Sequence, residues 1–115
     1  MKFKGKVWIS DDEGRKSFGP GDLYLLEKID ETGSLNKACK EMGMSYSKAF
    51  KMIKEAEEIL GESLTEVQVG GIAGGGSTLT EAAKKYIRLF NKAEEEVDEL
   101  LKDLGREYLN EIIEK

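Results

Sequence analysis

Glycine divides this chain more firmly than any other residue. Gly33, Gly43 and Gly61 each follow a run of apolar residues spaced three and four apart, and each run opens at a residue able to cap a helix: Asp22, Ser34 and Ser45. The spacing predicts three short helices. The first carries Leu23, Leu26 and Ile29 on its inner side, the second carries Leu35, Ala38, Cys39 and Met42, and the third continues to Leu60. Gly19-Pro20-Gly21 stops any strand ahead of them. Helices this short are not stable alone, so they must bury their apolar faces against one another.

Outside that block the pattern changes twice. Before it, Phe3, Val7 and Ile9 alternate, Asp11-Asp12-Glu13-Gly14 interrupts, and Arg15-Lys16-Ser17-Phe18 resumes, which predicts a β-hairpin. After it, Leu64, Val67 and Val69 have strand character, Gly70-Gly71-Ile72-Ala73-Gly74-Gly75-Gly76 forms a glycine-rich tip, and Ser77-Thr78-Leu79 returns. That is a second hairpin. Thr80 is placed to cap a final helix, with Glu81 in the first turn where the helix dipole favours an acid. In that helix Ala83, Tyr86, Phe90, Ala93, Val97, Leu100 and Leu104 recur at steps of three and four, the seam of a helix that packs along its length against a partner. Gly105 is expected to end its regular part, leaving Tyr108, Leu109, Ile112 and Ile113 as a second apolar cluster.

What is missing removes much chemistry. The chain has no His, the commonest general base and metal ligand, and Cys39 is its single cysteine, so neither an internal disulfide nor a Cys-rich zinc site can form. No catalytic residue, metal or cofactor is expected, and Cys39 reads as a small core residue. A length of 115 residues suits one domain with a modest core, a thin stability margin that a homodimer would widen. The longest apolar run, Leu23-Tyr24-Leu25-Leu26, falls far short of the roughly 20 residues a bilayer needs. The start, Met1 to Lys6, lacks the apolar segment of a secretory signal. No membrane partner and a cytoplasmic location are therefore expected.

The formal charge of −5 argues against a nucleic-acid partner only until it is located. From Glu94 to Lys115, nine acidic side chains face three basic ones, which leaves −6 in that segment and +1 in everything before it. Acidity describes the tail and leaves room for a basic face elsewhere.

The residue types from Leu35 to Lys54 fit a helix-turn-helix. Ala38 and Cys39 supply the small residues a crossing helix needs, Gly43 between Met42 and Met44 supplies the turn, and Ala49, Met52 and Ile53 face inward. At 100° per residue, Tyr46, Ala49, Phe50, Ile53, Ala56 and Leu60 share one face of the third helix, and Ser47, Lys48, Lys51 and Lys54 the opposite one. Three lysines there can meet phosphates or guanine edges in a major groove. The same face also fits a solvated surface, and Glu55, Glu57 and Glu58 dilute its charge towards the C-terminal end. The glycine run lacks the Lys that a nucleotide-cradling loop places before its Ser or Thr. It suits a wing whose bare backbone approaches a sugar-phosphate surface, or simply a long turn.

Taken together, the order of hairpin, three helices, wing and long helix, with Gly19-Pro20-Gly21, Ile29-Asp30-Glu31-Thr32-Gly33-Ser34, Gly43-Met44-Ser45-Tyr46 and the glycine run before Leu79-Thr80, resembles the N-terminal DNA-binding domain of the molybdate-responsive ModE regulators. That domain is itself similar to the winged helix of LysR-type regulators. The resemblance spans roughly Gly5 to Phe90. It implies a winged helix-turn-helix that acts as a homodimer on an inverted-repeat operator, with Ser45, Tyr46, Ser47, Lys48 and Lys51 as recognition residues and the glycine wing beside the backbone. In one respect this chain departs from the family: Leu64-Thr65-Glu66-Val67 puts Val67 where members usually carry Arg. Members also continue into molybdate-binding modules, whereas this chain ends at Lys115, and no molybdate site is expected in it.

The expected architecture is mainly α with small β hairpins: a winged helix-turn-helix over residues 1–79, with the recognition helix at about 45–60 and the wing at about 64–79. Residues 80–115 then form a C-terminal dimerisation helix and acidic tail. Double-stranded DNA is the expected partner, met by Ser45, Tyr46, Ser47, Lys48, Lys51, Lys54, Gly74, Gly75 and Gly76. The seam from Ala83 to Leu104 is the expected dimer interface, and the expected function is transcriptional regulation. The rival reading is a winged helix turned protein-interaction module, working through the acidic C-terminal helix. An enzyme built on the glycine loop is a distant third.

Overall fold

Glycine and the capping residues set the helix boundaries in the computed structural model of this chain, which describes residues 1–68 and 76–113. Helices α1 (Pro20–Thr32), α2 (Leu35–Met42) and α3 (Tyr46–Leu60) end at Gly33, Gly43 and Gly61, whose φ angles of 74°, 65° and 74° lie in the left-handed region. Ser34 Oγ accepts from the Lys37 amide and Ser45 Oγ from the Lys48 amide, both at 3.2 Å, which satisfies one orphan donor at each helix start. Beyond α2, the Met44 amide donates to the Cys39 carbonyl at 3.0 Å and the Gly43 amide to Lys40 at 3.3 Å. This Schellman pairing lets three residues turn the chain from α2 into α3.

The start of α1 differs from expectation. Gly19 is the cap, Pro20 opens the helix, and Asp22 sits in its first turn, where its carboxylate accepts the Gly19 amide at 2.8 Å. Proline has no N–H to leave unsatisfied at that position, so the helix begins earlier than a cap at Asp22 implies. Burial pushes the Asp22 carboxyl up, against the opposing pull of the Gly19 hydrogen bond.

Two antiparallel hairpins flank the helices. β1 (Ile9–Ser10) pairs with β2 (Ser17–Phe18), shorter than the alternation from Phe3 predicts, and Asp11 Oδ1 closes the turn by accepting the Arg15 amide at 2.7 Å. β3 (Thr65–Gln68) pairs with β4 (Gly76–Leu79), with Thr65 opposite Leu79 and Gln68 opposite Gly76. Gly74 and Gly75, expected at the wing tip, lie outside the described residues. Phe18, Leu25, Leu26, Ile29 and Leu64 are the largest fully buried side chains, and the Phe18 ring meets Phe90 edge-to-face at 5.5 Å. Cys39 is buried among them, which pushes its thiol up and keeps it protonated at neutral pH.

The last helix divides into two halves. α4 (Glu81–Leu104) opens at Thr80, whose hydroxyl accepts the Ala83 amide at 3.1 Å and donates to the Ser63 carbonyl at 2.8 Å. Ala83 and Phe90 are buried in the chain's own core, and Tyr86 packs on that core while donating to Glu62 at 3.1 Å. This corrects the expected dimer seam. Ala83 and Phe90 have no surface left for a second copy, because the short helices need α4's first turns to close their core. Ala93, Val97, Leu100 and Leu104 lie further along, and Leu100 is 55% exposed. Gly105 does not end the helix; it is right-handed and starts a π turn (Gly105–Leu109) that leads into α5 (Asn110–Ile113). The widened turn re-aims the chain so that Leu109 becomes buried. With α4 projecting, the molecule measures 66 × 30 × 24 Å, and its radius of gyration of 17.8 Å exceeds the ~13 Å of a compact chain this long.

One glycine holds the wing to the helices. The Ser77 amide donates to the Gly33 carbonyl at 2.9 Å, and a Cβ on Gly76 would stand 2.6 Å from that same oxygen. Backbone, not a flexible side chain, is what it would strike. Gly76→Ala should therefore lower stability by about 1–3 kcal/mol in urea denaturation. Gly21→Ala, whose Cβ meets nothing within 4 Å, should be neutral or raise stability by up to about 1 kcal/mol.

Candidate nucleic-acid interface

The inward side of α3 determines what its outward side presents. Ala49, Ile53 and Ala56 are buried, with Met52 and Leu60 packed against the core. Taking Ala49 as the inward direction, 100° per residue puts Ser47, Lys51, Lys54 and Glu58 within about 40° of the opposite direction. Lys48 flanks them on one edge. All five of these side chains are exposed. Ser45 caps the helix and its hydroxyl lies 3.5 Å from that of Ser47, so the expected recognition residues occupy the exposed N-terminal half of α3 together. Lys48 and Lys51 form no ion pair among the described residues, which leaves both charges available to an anion.

Tyr46, an expected DNA contact, and Phe50 share by angle the face that carries Ala49, Ile53 and Ala56, yet they are 53% and 46% exposed. They lie about 60° and 100° from the Ala49 direction, on the margin of the apolar arc, and the core closes before reaching them. Their rings stack on each other at 6.3 Å between centroids with planes 18° apart. Lys54 is also more engaged than a free lysine, with its Nζ 5.2 Å above the Phe50 ring and 3.2 Å from Glu57 Oε1.

Glu57 is a residue that sequence reasoning counted only as dilution of positive charge. Its other oxygen accepts the Leu64 amide at 2.8 Å, and the Leu64 side chain is fully buried. One carboxylate thus joins Lys54 on the recognition face to the first residue of the wing. Seven positions separate Glu57 from Leu64, across the turn at Gly61, and no local sequence signal marks such a pairing. On the wing, Gly76 faces the Gly33 carbonyl, and Val67 is exposed on β3. Among the described residues no group of three or more Cys, Asp or Glu is arranged to hold a metal ion, and no helix is long and apolar enough to cross a membrane.

Three helices, a three-residue turn between the second and third, and a two-stranded wing define a winged helix-turn-helix. The profile of the bacterial regulatory helix-turn-helix proteins of the lysR family matches residues 20–84, more than half of the chain, and this chain belongs to that family. It is 36% identical over 83 residues to the molybdenum-pterin-binding protein MopB of Rhodobacter capsulatus, covering 72% of this chain and 31% of that protein. It is 34% identical over 111 residues to the molybdenum transport protein ModE of Azotobacter vinelandii, covering 96% of this chain and 40% of the relative. The DNA-binding transcriptional dual regulator ModE of Escherichia coli K12 is 33% identical over 72 residues, covering 63% of this chain and 28% of that one. The chain thus spans well under half the length of these relatives.

The Glu57 bridge makes a specific demand on the wing root. Glu57→Ala should cost about 1–3 kcal/mol in urea denaturation, because it leaves the Leu64 amide without its acceptor beside a buried side chain. Amide exchange at Leu64 should accelerate in the same variant. Glu57→Gln, which keeps a carbonyl oxygen on the same stem, should retain most of the stability and protection.

Proposed function

We propose that this chain is a sequence-specific transcriptional regulator that binds double-stranded DNA as a homodimer on an inverted-repeat operator. The DNA-contacting unit is residues 1–79, and residues 80–115 form the dimerisation helix and acidic tail. The observation that carries the reading is the exposed N-terminal half of α3, where Ser45, Ser47, Lys48 and Lys51 stand together and neither lysine forms an ion pair among the described residues. Lysines on a helix narrow enough for a major groove neutralise phosphates, and hydroxyls beside them position the helix on the backbone. The wing root is tied to the same helix through Glu57, which supports a wing that meets the duplex beside α3.

The distal half of α4 supports the homodimer. Past Phe90 it leaves the core and still carries Ala93, Val97, Leu100 and Leu104, a strip that a symmetric copy would cover. Two recognition helices related by a two-fold axis then require a palindromic site.

Selection of bound duplexes from a random library tests this directly, and an inverted repeat is the expected product. Lys48→Glu with Lys51→Glu should nearly abolish binding, while single changes to Ala should each flatten the salt dependence by about 1 in log–log slope. Unchanged affinity in the folded double variant overturns the assigned face. In sedimentation at tens of micromolar the wild type should be dimeric, and Val97→Asp with Leu100→Asp should give a folded monomer with weak operator binding. Both positions lie beyond Phe90, which belongs to the core.

A further inference from the structure

We propose that the stacked rings of Tyr46 and Phe50 read thymine through its C5-methyl group, which makes them specificity-determining residues of the interface. The inference rests on the DNA-binding reading above and adds which feature of the bases α3 recognises.

Two large aromatic side chains stand half-exposed on successive turns of a helix whose inner side is fully packed. Their near-parallel stacking, 6.3 Å between centroids, joins them into one apolar plate along the margin of the recognition face. Stacking on each other and the Lys54 ammonium over Phe50 cover part of the rings, but about half of each side chain remains in water, an arrangement that favours a partner able to cover it.

The surroundings of the plate decide what that partner is. In sequence Ser45 and Ser47 flank Tyr46 and Lys51 follows Phe50, and the Lys54 ammonium lies 5.2 Å over the Phe50 ring. An apolar protein surface seated on the rings would desolvate those ammonium groups without pairing them. A second copy meeting this face two-fold would bring Lys48 and Lys51 against their own equivalents. A polyanion with a small apolar group among its polar edges suits the same surroundings, and duplex DNA presents that combination in its major groove. There the base edges offer donors and acceptors together with one apolar feature, the thymine methyl.

Spacing adds a prediction about register. The ring centroids are 6.3 Å apart, beyond the ~3.4 Å rise of one base-pair step, so the two rings suit methyls on different bases of one half-site. Tyr46 is the first residue of α3 and Phe50 follows one turn later, in the half of the helix that enters a groove first. Lys54 acts here as a positioning residue: held by Glu57 at 3.2 Å, it lies over the Phe50 ring.

The test replaces thymine by deoxyuridine, one position at a time, in the duplex recovered from the random library; this removes the methyl and leaves every hydrogen-bonding group in place. Affinity should fall about 4-fold at each contacted thymine, the loss expected for uncovering one methyl-sized group. The sensitive positions should be two different thymines close together in each half-site. Phe50→Ala should abolish the thymine preference at one of them and Tyr46→Ala at the other, while Phe50→Leu, which keeps an apolar contact, should retain part of it. Lys51→Ala should weaken both duplexes equally and leave the preference intact. Equal affinity for every deoxyuridine duplex overturns the proposal, as does a thymine preference that survives in both ring variants. In either case the DNA-binding reading stands on the salt slopes of the lysine variants. Failure to recover any specific duplex overturns both.

Discussion

Everything in the fold closes on Phe18. It is completely buried, meets Phe90 edge-to-face at 5.5 Å, and shares a small crevice with Leu25, Leu26, Ile53, Ala56 and Leu64. One side chain therefore joins the first hairpin to α1, α3, the wing root and α4. Burying a Phe contributes about 1.5–3 kcal/mol, and the aromatic pairing adds about 0.5–1.5 kcal/mol. The consequence for function is directional. A helix has one inward face, and once Ala49, Ile53 and Ala56 are turned towards that cluster, Ser47 and Lys51 must face water.

Backbone contacts carry this orientation into the wing. Thr80 caps α4 while holding the Ser63 carbonyl, the Thr80 amide donates to Leu64, and Glu57 takes the Leu64 amide from the other side. On the second strand, Ser77 hangs from the Gly33 carbonyl, a contact open only because Gly76 has no side chain. Recognition helix, wing and long helix are thus fixed by polar groups that converge on two short stretches, Ser63 to Leu64 and Gly76 to Ser77. A wing attached at both strands holds its position relative to α3.

Charge is separated along the same axis. The −6 of the last segment sits on the part of the chain that leaves the core, while the remainder is +1. Glu94, the first acid of that segment, stands 13 residues into α4, about 20 Å along its axis and more than twice the ~8 Å over which physiological salt screens exposed charges. The acids of the tail therefore act only weakly on charges at the start of α4.

Local chemistry made a large part of this legible in the sequence. Helix stops at glycine, serine and threonine caps, and paired strands either side of a glycine run depend on residues within a few positions of one another; the stops at Gly33, Gly43 and Gly61, the caps at Ser34, Ser45 and Thr80 and the strand pairing stand in the structure, and the stop at Gly105 does not. The exposed lysines of α3 follow from a periodicity that the sequence displays. What the sequence could not decide were matters of how far the core extends and which groups meet across space. Tyr46 and Phe50 share the apolar arc by angle, but whether a neighbouring element covers that margin depends on packing, and among the described residues they stay about half exposed. Ala83 and Phe90 belong to the same periodic seam as Val97 and Leu100, yet the first pair closes the chain's own core and the second projects past it. Periodicity records which residues share a face; only the tertiary structure determines where along that face the partner ends. For the same reason Glu57 looked like surface charge, since a carboxylate that caps an amide seven residues away leaves no trace in spacing or composition.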